Sequence, residues 1–157
     1  MTTRLDYNSL TTGWINFFKA NSTTLDTDLY ASITTIIDAD PDDINLYITR
    51  MPGITVNLVN HEEERTETGS NGVCRNLVTC EWHIGAHIYD ILDYETARQD
   101  VRQLVTNIED AIRGDDTASN TFHNVEIENA VFGNIIQTKK GTYQKSATIV
   151  VNTESFV

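Results

Sequence analysis

The sequence predicts an α+β fold: a single antiparallel or mixed β-sheet packed against one long helix at about 94–113 and a short N-terminal helix at about 9–20. Three observations predict it. Tyr94, Ala97, Val101, Leu104, Val105, Ile108 and Ile112 recur at helical spacing, while Glu95, Arg98, Gln99, Arg102, Thr106, Glu109 and Arg113 fill the other face. From Leu77 to Tyr89, Val78, Cys80, Trp82, Ile84, Ala86 and Ile88 alternate with Thr79, Glu81, His83, Gly85 and His87, the pattern of a long half-buried antiparallel strand. The order of elements, helix, strands, helix, hairpin, suits one sheet with helices against it. The 157 residues suit a single domain over 1–157.

In chain order, Leu10, Trp14, Phe17 and Phe18 share one face of a helix over 9–20, with Ser9 as its N-cap and Asn21 and Ser22 ending it. Gly13 inside it costs roughly 1 kcal/mol against alanine. The three aromatic residues are expected to pack on the sheet rather than meet a partner. Residues 28–38 fit both periods, and the β-branched run around Ile33–Ile37 favours a strand. ADPDD at 39–43 is a turn or a helix start, and Ile44–Arg50 a strand or a short helix. Ile54, Val56 and Leu58 alternate after Pro52-Gly53, and a polar, mobile loop is expected over about 60–72. Asp93 caps the long helix and Gly114 stops it. Val125, Ile127, Asn129 and Val131 alternate in a strand bent near Gly133. A turn at Lys139-Lys140-Gly141 leads to a last strand with Tyr143, Ala147, Ile149 and Val151 inward.

Composition narrows the function classes. The formal net charge is −12, from 23 acidic and 11 basic residues, and the longest basic run is Lys139-Lys140. Duplex DNA, with about one charge per 1.7 Å of axis, demands clustered lysine and arginine, so direct nucleic-acid binding is not expected. No stretch approaches the roughly 18–20 apolar residues of a membrane helix, and MTTRLDYNSL lacks the layout of a signal peptide. Two cysteines make no disulfide framework, which fits a cytosolic product with reduced thiols.

The candidate chemistry dissolves on inspection. Cys74, Cys80, His83 and His87 are zinc-ligand types, yet on a strand Cys80 faces the core and both histidines the opposite side. Asp38, Asp40 and Asp42 open like a calcium loop, but Asp43 and Thr49 stand where glycine and glutamate are needed. HEEER at 61–65 lacks the second histidine of a metalloprotease string. No phosphate loop, dinucleotide fingerprint or nucleophile elbow occurs, and no spacing supports a serine or cysteine nucleophile with His123. Neither catalytic, cofactor nor metal residues are assigned, and no enzyme is expected.

The layout resembles tail terminator and tail completion proteins of tailed bacteriophages. The short N-terminal helix and MPGITVNLV carry the resemblance first, then an acidic, Thr-rich stretch and the long strand LVTCEWHIGAHIYD. The helix YETARQDVRQLVTNIEDAIRG and the closing strand SATIVVNTESFV complete it over residues 9–157. The resemblance implies a virion protein, assembled in the host cytoplasm, that forms a homo-hexameric ring at the head-proximal end of the tail. It implies tail tube, neck or connector proteins and sheath as partners, with DNA passing the lumen unbound and no membrane contact. A neck or head–tail adaptor is the alternative. For a ring, Glu62, Glu63, Glu64, Arg65, Glu81, His83 and His87 are expected at subunit or tube contacts, and deleting 62–70 is expected to spare the fold.

Overall fold

The computed structural model describes residues 5–30, 32–40, 52–68, 73–91, 93–133, 136–137 and 141–157. Among them three helices and six strands form: α1 (Tyr7–Ala20), α2 (Ser22–Leu25), β1 (Thr35–Asp38), β2 (Gly53–Thr68), β3 (Val73–Ile91), α3 (Tyr94–Gly114), β4 (Asn124–Phe132), β5 (Ile136–Gln137) and β6 (Tyr143–Phe156). The sheet order is β1-β2-β3-β6-β4, with β5 also on β6. β1 runs parallel to β2 and the other pairs are antiparallel, so the sheet is mixed. The expected α+β architecture is the one observed, with α1 and α3 packed on the sheet.

α1 starts two residues earlier than the sequence suggested. Asp6 caps it, accepting from the Asn8 N–H at 3.0 Å and from the Ser9 hydroxyl at 2.7 Å, so Ser9 is a donor to the cap. Leu10, Trp14, Phe17 and Phe18 are buried as expected. Trp14 stacks on Phe18 at 5.4 Å, meets Trp82 edge-on at 6.3 Å and packs tilted on Phe122 at 5.1 Å, which joins α1 to the centre of β3. Gly13 serves close approach: a Cβ there would lie 2.3 Å from Thr121 Cγ2. The helix therefore gives up propensity so that the turn after α3 can rest on it.

α3 begins at Asp93, whose carboxylate accepts from the Thr96 N–H at 3.1 Å, and buries the expected apolar stripe. Its end differs from expectation. Gly114 is still helical and Asp115 is the C-cap. The left-handed residues come later, at Ala118, Ser119 and Asn120 (φ 47, 58 and 62°), where glycine would ordinarily be favoured. Asp115 holds this turn by accepting from the N–H groups of Thr117 and Ser119, at 3.1 and 2.8 Å.

In the sheet, the described residues of the strand expected over 28–38 form only β1, and 44–50 lies outside the described residues. The loop expected over 60–72 is corrected: β2 continues through Thr68 and pairs with β3 to Val73. A glutamate-rich run reads as loop because strands disfavour it, but cross-strand pairing overrides that weak preference. Val59 is the extra residue of a bulge, after which His61 faces the inner side and stacks on Tyr7 of α1 at 4.8 Å. A second bulge at Glu128 breaks the alternation expected along β4. Val125 and Ile127 face inward, whereas Val131 turns outward and is exposed. β6 keeps its pattern, with Ala147, Ile149 and Val151 buried.

Candidate functional site

β2 and β3 form a hairpin of 16 and 19 residues that outruns the rest of the sheet. β6 ends where Val157 exchanges two backbone hydrogen bonds with Asn76, which pairs with Arg65. Three further pairs, from Thr66–Arg75 to Thr68–Val73, continue past that point. At about 3.4 Å per residue they carry the hairpin about 10 Å beyond its neighbours. On its other side β1 covers only Gly53–Val56 of β2. The distal part of this hairpin, from the His61–Cys80 pair outward, is the arm: β6 lines its β3 side as far as Asn76, and its last three pairs extend past β6.

The arm positions four of the residues singled out from sequence. Glu62 and Glu64 pair with Thr79 and Leu77 on the outer face, away from the helices, and Glu63 and Arg65 lie on the inner side opposite Val78 and Asn76. All four are exposed. Asn76 Nδ2 donates to Glu63 Oε1 at 2.6 Å, which ties the two strands of the arm.

Glu81 and His83 share the outer face of β3 and stand 3.8 Å apart, each about one-third exposed. Register extends this face across the sheet. Glu81 opposes Asn152, Thr79 opposes Glu154, and Glu126 opposes Asn152 from the far side. Glu128 accepts from Asn152 Nδ2 at 3.1 Å. An acidic band thus crosses β2, β3, β6 and β4 next to the arm.

His87 departs from the expected interface set. It is on the outer parity but fully buried, with Nε2 2.8 Å from Thr55 Oγ1 and Nδ1 2.7 Å from Ser146 Oγ. Gly85 makes room for the ring, since a Cβ there would lie 2.4 Å from Nε2. Burial pushes the His87 imidazole down to about 4, so it is neutral and serves as a polar clamp across β2, β3 and β6. Alternation along a strand cannot tell a solvated polar residue from one sealed among hydroxyl partners.

Cys80 and His83 fall on opposite faces, as the strand reading required. The Cys80 thiol is buried, pushed up by desolvation and partly offset by its hydrogen bond to Thr153. Among the described residues no group of three or more His, Cys, Asp or Glu side chains is placed to hold a metal ion. No described helix is long and apolar enough to cross a membrane.

Two groups escaped the sequence reading. The first is a polar seam on α3. Asn107 Nδ2 donates to the carbonyls of Leu25 and Thr27 at 2.9 and 2.8 Å, and Asp100 accepts from the Tyr30 N–H at 3.2 Å. Burial raises the Asp100 carboxyl, against the lowering effect of that bond. Asp100 also borders an open groove of about 400 Å³, with Asp28, Gln99, Arg102, Gln103 and Thr106. The second is cationic. Arg98 and Arg102, one turn apart on α3, bring their charges near Lys145 where that helix packs beside the start of β6, with the Tyr94 and Tyr143 rings 5.6 Å apart, and the Lys145 ammonium donates to the Gly133 carbonyl. Spacing of four between the arginines was its one visible signal.

No protein-family model matches the sequence, and no curated protein matches it. Among solved structures, a chain of the virion of a native gene transfer agent particle is similar at 10% identity and a TM-score of 0.37. That likeness covers 99% of this chain and 100% of the other.

Proposed function

We propose that this chain is a structural virion protein, a tail terminator that closes into a ring on the head-proximal end of a tail tube and joins it to the neck. The observation that supports this most directly is the arm. A hairpin whose tip extends past its own sheet, and whose base carries exposed acidic side chains on both faces, offers contact area beyond that of the described body. The exposed groups are arranged as surfaces, with an acidic band on one sheet face and an open polar groove along α3. Such surfaces suit subunit and partner contacts rather than turnover of a small substrate. The sequence resemblance supplies the assembly: a homo-hexamer with tail tube, neck and sheath as neighbours. In this reading Glu62, Glu63, Glu64, Arg65, Glu81 and His83 face other subunits or the tube, and DNA crosses the lumen without specific contacts.

The test is native mass spectrometry and negative-stain imaging of the full chain, alone and mixed with purified tail tubes. The expected outcome is a species of about six subunits with a central hole, closed by heterologous contacts, on one end of each tube. Binding to a portal-side ring in place of a tube end would make the protein a neck adaptor. A monomer that decorates neither would overturn the virion reading.

A further inference from the structure

The arm and the cationic group lie at opposite ends of the sheet. Phe156 of β6 pairs beside the arm at Leu77, while Lys145 pairs with Ile88 at the other end. The eleven residue steps from Lys145 to Phe156 span about 37 Å at about 3.4 Å per residue. Glu62 and Glu64 therefore cannot reach Arg98, Arg102 and Lys145 of the same chain.

Against a net charge of −12 this cationic group is an anomaly. Arg98 has a partial counter-charge in Glu95 at 3.3 Å and lies over the Tyr94 ring, 5.7 Å from its centroid. Arg102 is exposed and shares the groove with Asp28 and Asp100. Lys145 is partly buried, and desolvation followed by the fields of Arg98 and Arg102 lowers its ammonium from the usual lysine range. Three cations gathered where α3 packs beside β6, at the corner where the Tyr94 and Tyr143 rings meet at 5.6 Å, would gain from an external anion. The arm offers that anion on its outer face, as exposed Glu62 and Glu64.

We infer that the arm of one copy, through Glu62 and Glu64, docks on the patch formed by Arg98, Arg102 and Lys145 of a second copy. The contact joins two different surfaces, so each copy keeps one free donor end and one free acceptor end. Repetition gives a closed ring or a filament, according to the angle per step. This rests on the ring reading and names its contact.

Charge reversal tests it on the full chain. One variant carries Arg98→Glu and Arg102→Glu, the other Glu62→Lys and Glu64→Lys, and sedimentation velocity reads self-association. Each variant alone should associate at least about tenfold more weakly than the parent, because like charges now meet. Mixed in equal amounts they should recover the parent's association, since each contact again pairs opposite charges. Circular dichroism melting should match the parent for both, and recovery on mixing itself requires folded chains. Should a paired variant melt early, Arg102→Glu and Glu64→Lys alone carry the same test.

A parent that stays monomeric at every concentration overturns the contact, as does a variant that assembles like the parent or a mixture that fails to recover. In the second and third cases rings of the parent would persist, so the terminator reading would survive the loss of this contact. An acidic partner of another kind on the patch would leave self-association unaltered in both variants, which also overturns it.

Discussion

At the residue scale, His87 carries the clearest consequence. Its ring is satisfied at both nitrogens only by hydroxyls, and no carboxylate is among its hydrogen-bond partners. Its folded value of about 4 lies below the ordinary 6.5. As pH falls below about 6.5 the unfolded chain takes up a proton that the folded chain refuses. The contribution is therefore fully present above about 6.5 and lost by about pH 4, a drop of about 3 kcal/mol. Chemical denaturation at stepped pH should show that decline, and His87→Gln should flatten it. An identical slope in the variant would assign the decline to other groups. The two tryptophans give a second contrast. Trp82 Nε1 donates to Thr153 Oγ1 at 2.9 Å, whereas Trp14 Nε1 is buried with no partner in the structure. Both phenylalanine variants lose volume, but Trp82→Phe also deletes a buried hydrogen bond and leaves the Thr153 hydroxyl with Cys80 alone, while Trp14→Phe removes an unmet N–H. Trp82→Phe should cost about 1–2 kcal/mol more, read by urea denaturation.

At the element scale, Gly13 separates local preference from packing. Alanine favours a helix interior by about 1 kcal/mol, yet its Cβ would press into Thr121, whose stiff side chain has little room to yield. Gly13→Ala should therefore destabilise by about 1–3 kcal/mol, and adding Thr121→Gly should recover most of that loss. Additive effects in a double-mutant cycle would refute the clash. The arm demands a corrected deletion. Removing 62–70, harmless if that stretch were a loop, would strip β3 of its partner from Val73 to Thr79. Replacing 66–75 by an Asn-Gly turn between Arg65 and Asn76 keeps the remaining register. That variant should melt like the parent and bind tube ends more weakly, read by counting capped tubes. Full capping by the shortened chain would remove the tip from the interface. The long helix, its Asp93 cap and the β3 alternation were legible because each is a local periodic signal. The continuation of β2 and the parity changes at Val59 and Glu128 were not, since bulges and strand length depend on residues far apart in sequence. For the candidate set, polar type made the solvent-facing placement of Glu62, Glu64, Glu81 and His83 legible, but burial of His87 depends on Thr55 and Ser146, and the Lys145 patch on α3 packing beside β6.

At the scale of the whole molecule, the excess of 23 acidic over 11 basic residues is unevenly spread. Acidic groups line the arm and the outer band, and Arg98, Arg102 and Lys145 gather at the far end. Among the described residues this patch is a small surface that phosphate can approach, set within a field that repels it. Tight duplex binding draws on roughly 6–10 phosphate contacts, and three cations beside Glu95 and Asp100 fall well short of that. If the arm of the next copy covers the patch, assembly removes even this surface. An acidic surface with its cationic patch covered in this way is suited to line a passage for DNA without holding it. The expected outcome is no retardation of linear duplex DNA by the assembled protein at about 0.1 M salt. The Glu62→Lys and Glu64→Lys variant, with its patch uncovered and its arm basic, should retard DNA weakly and lose that retardation steeply as salt rises. Retention of duplex by the parent assembly, with a comparable salt slope, would mean that the acidic surface does not face the passage.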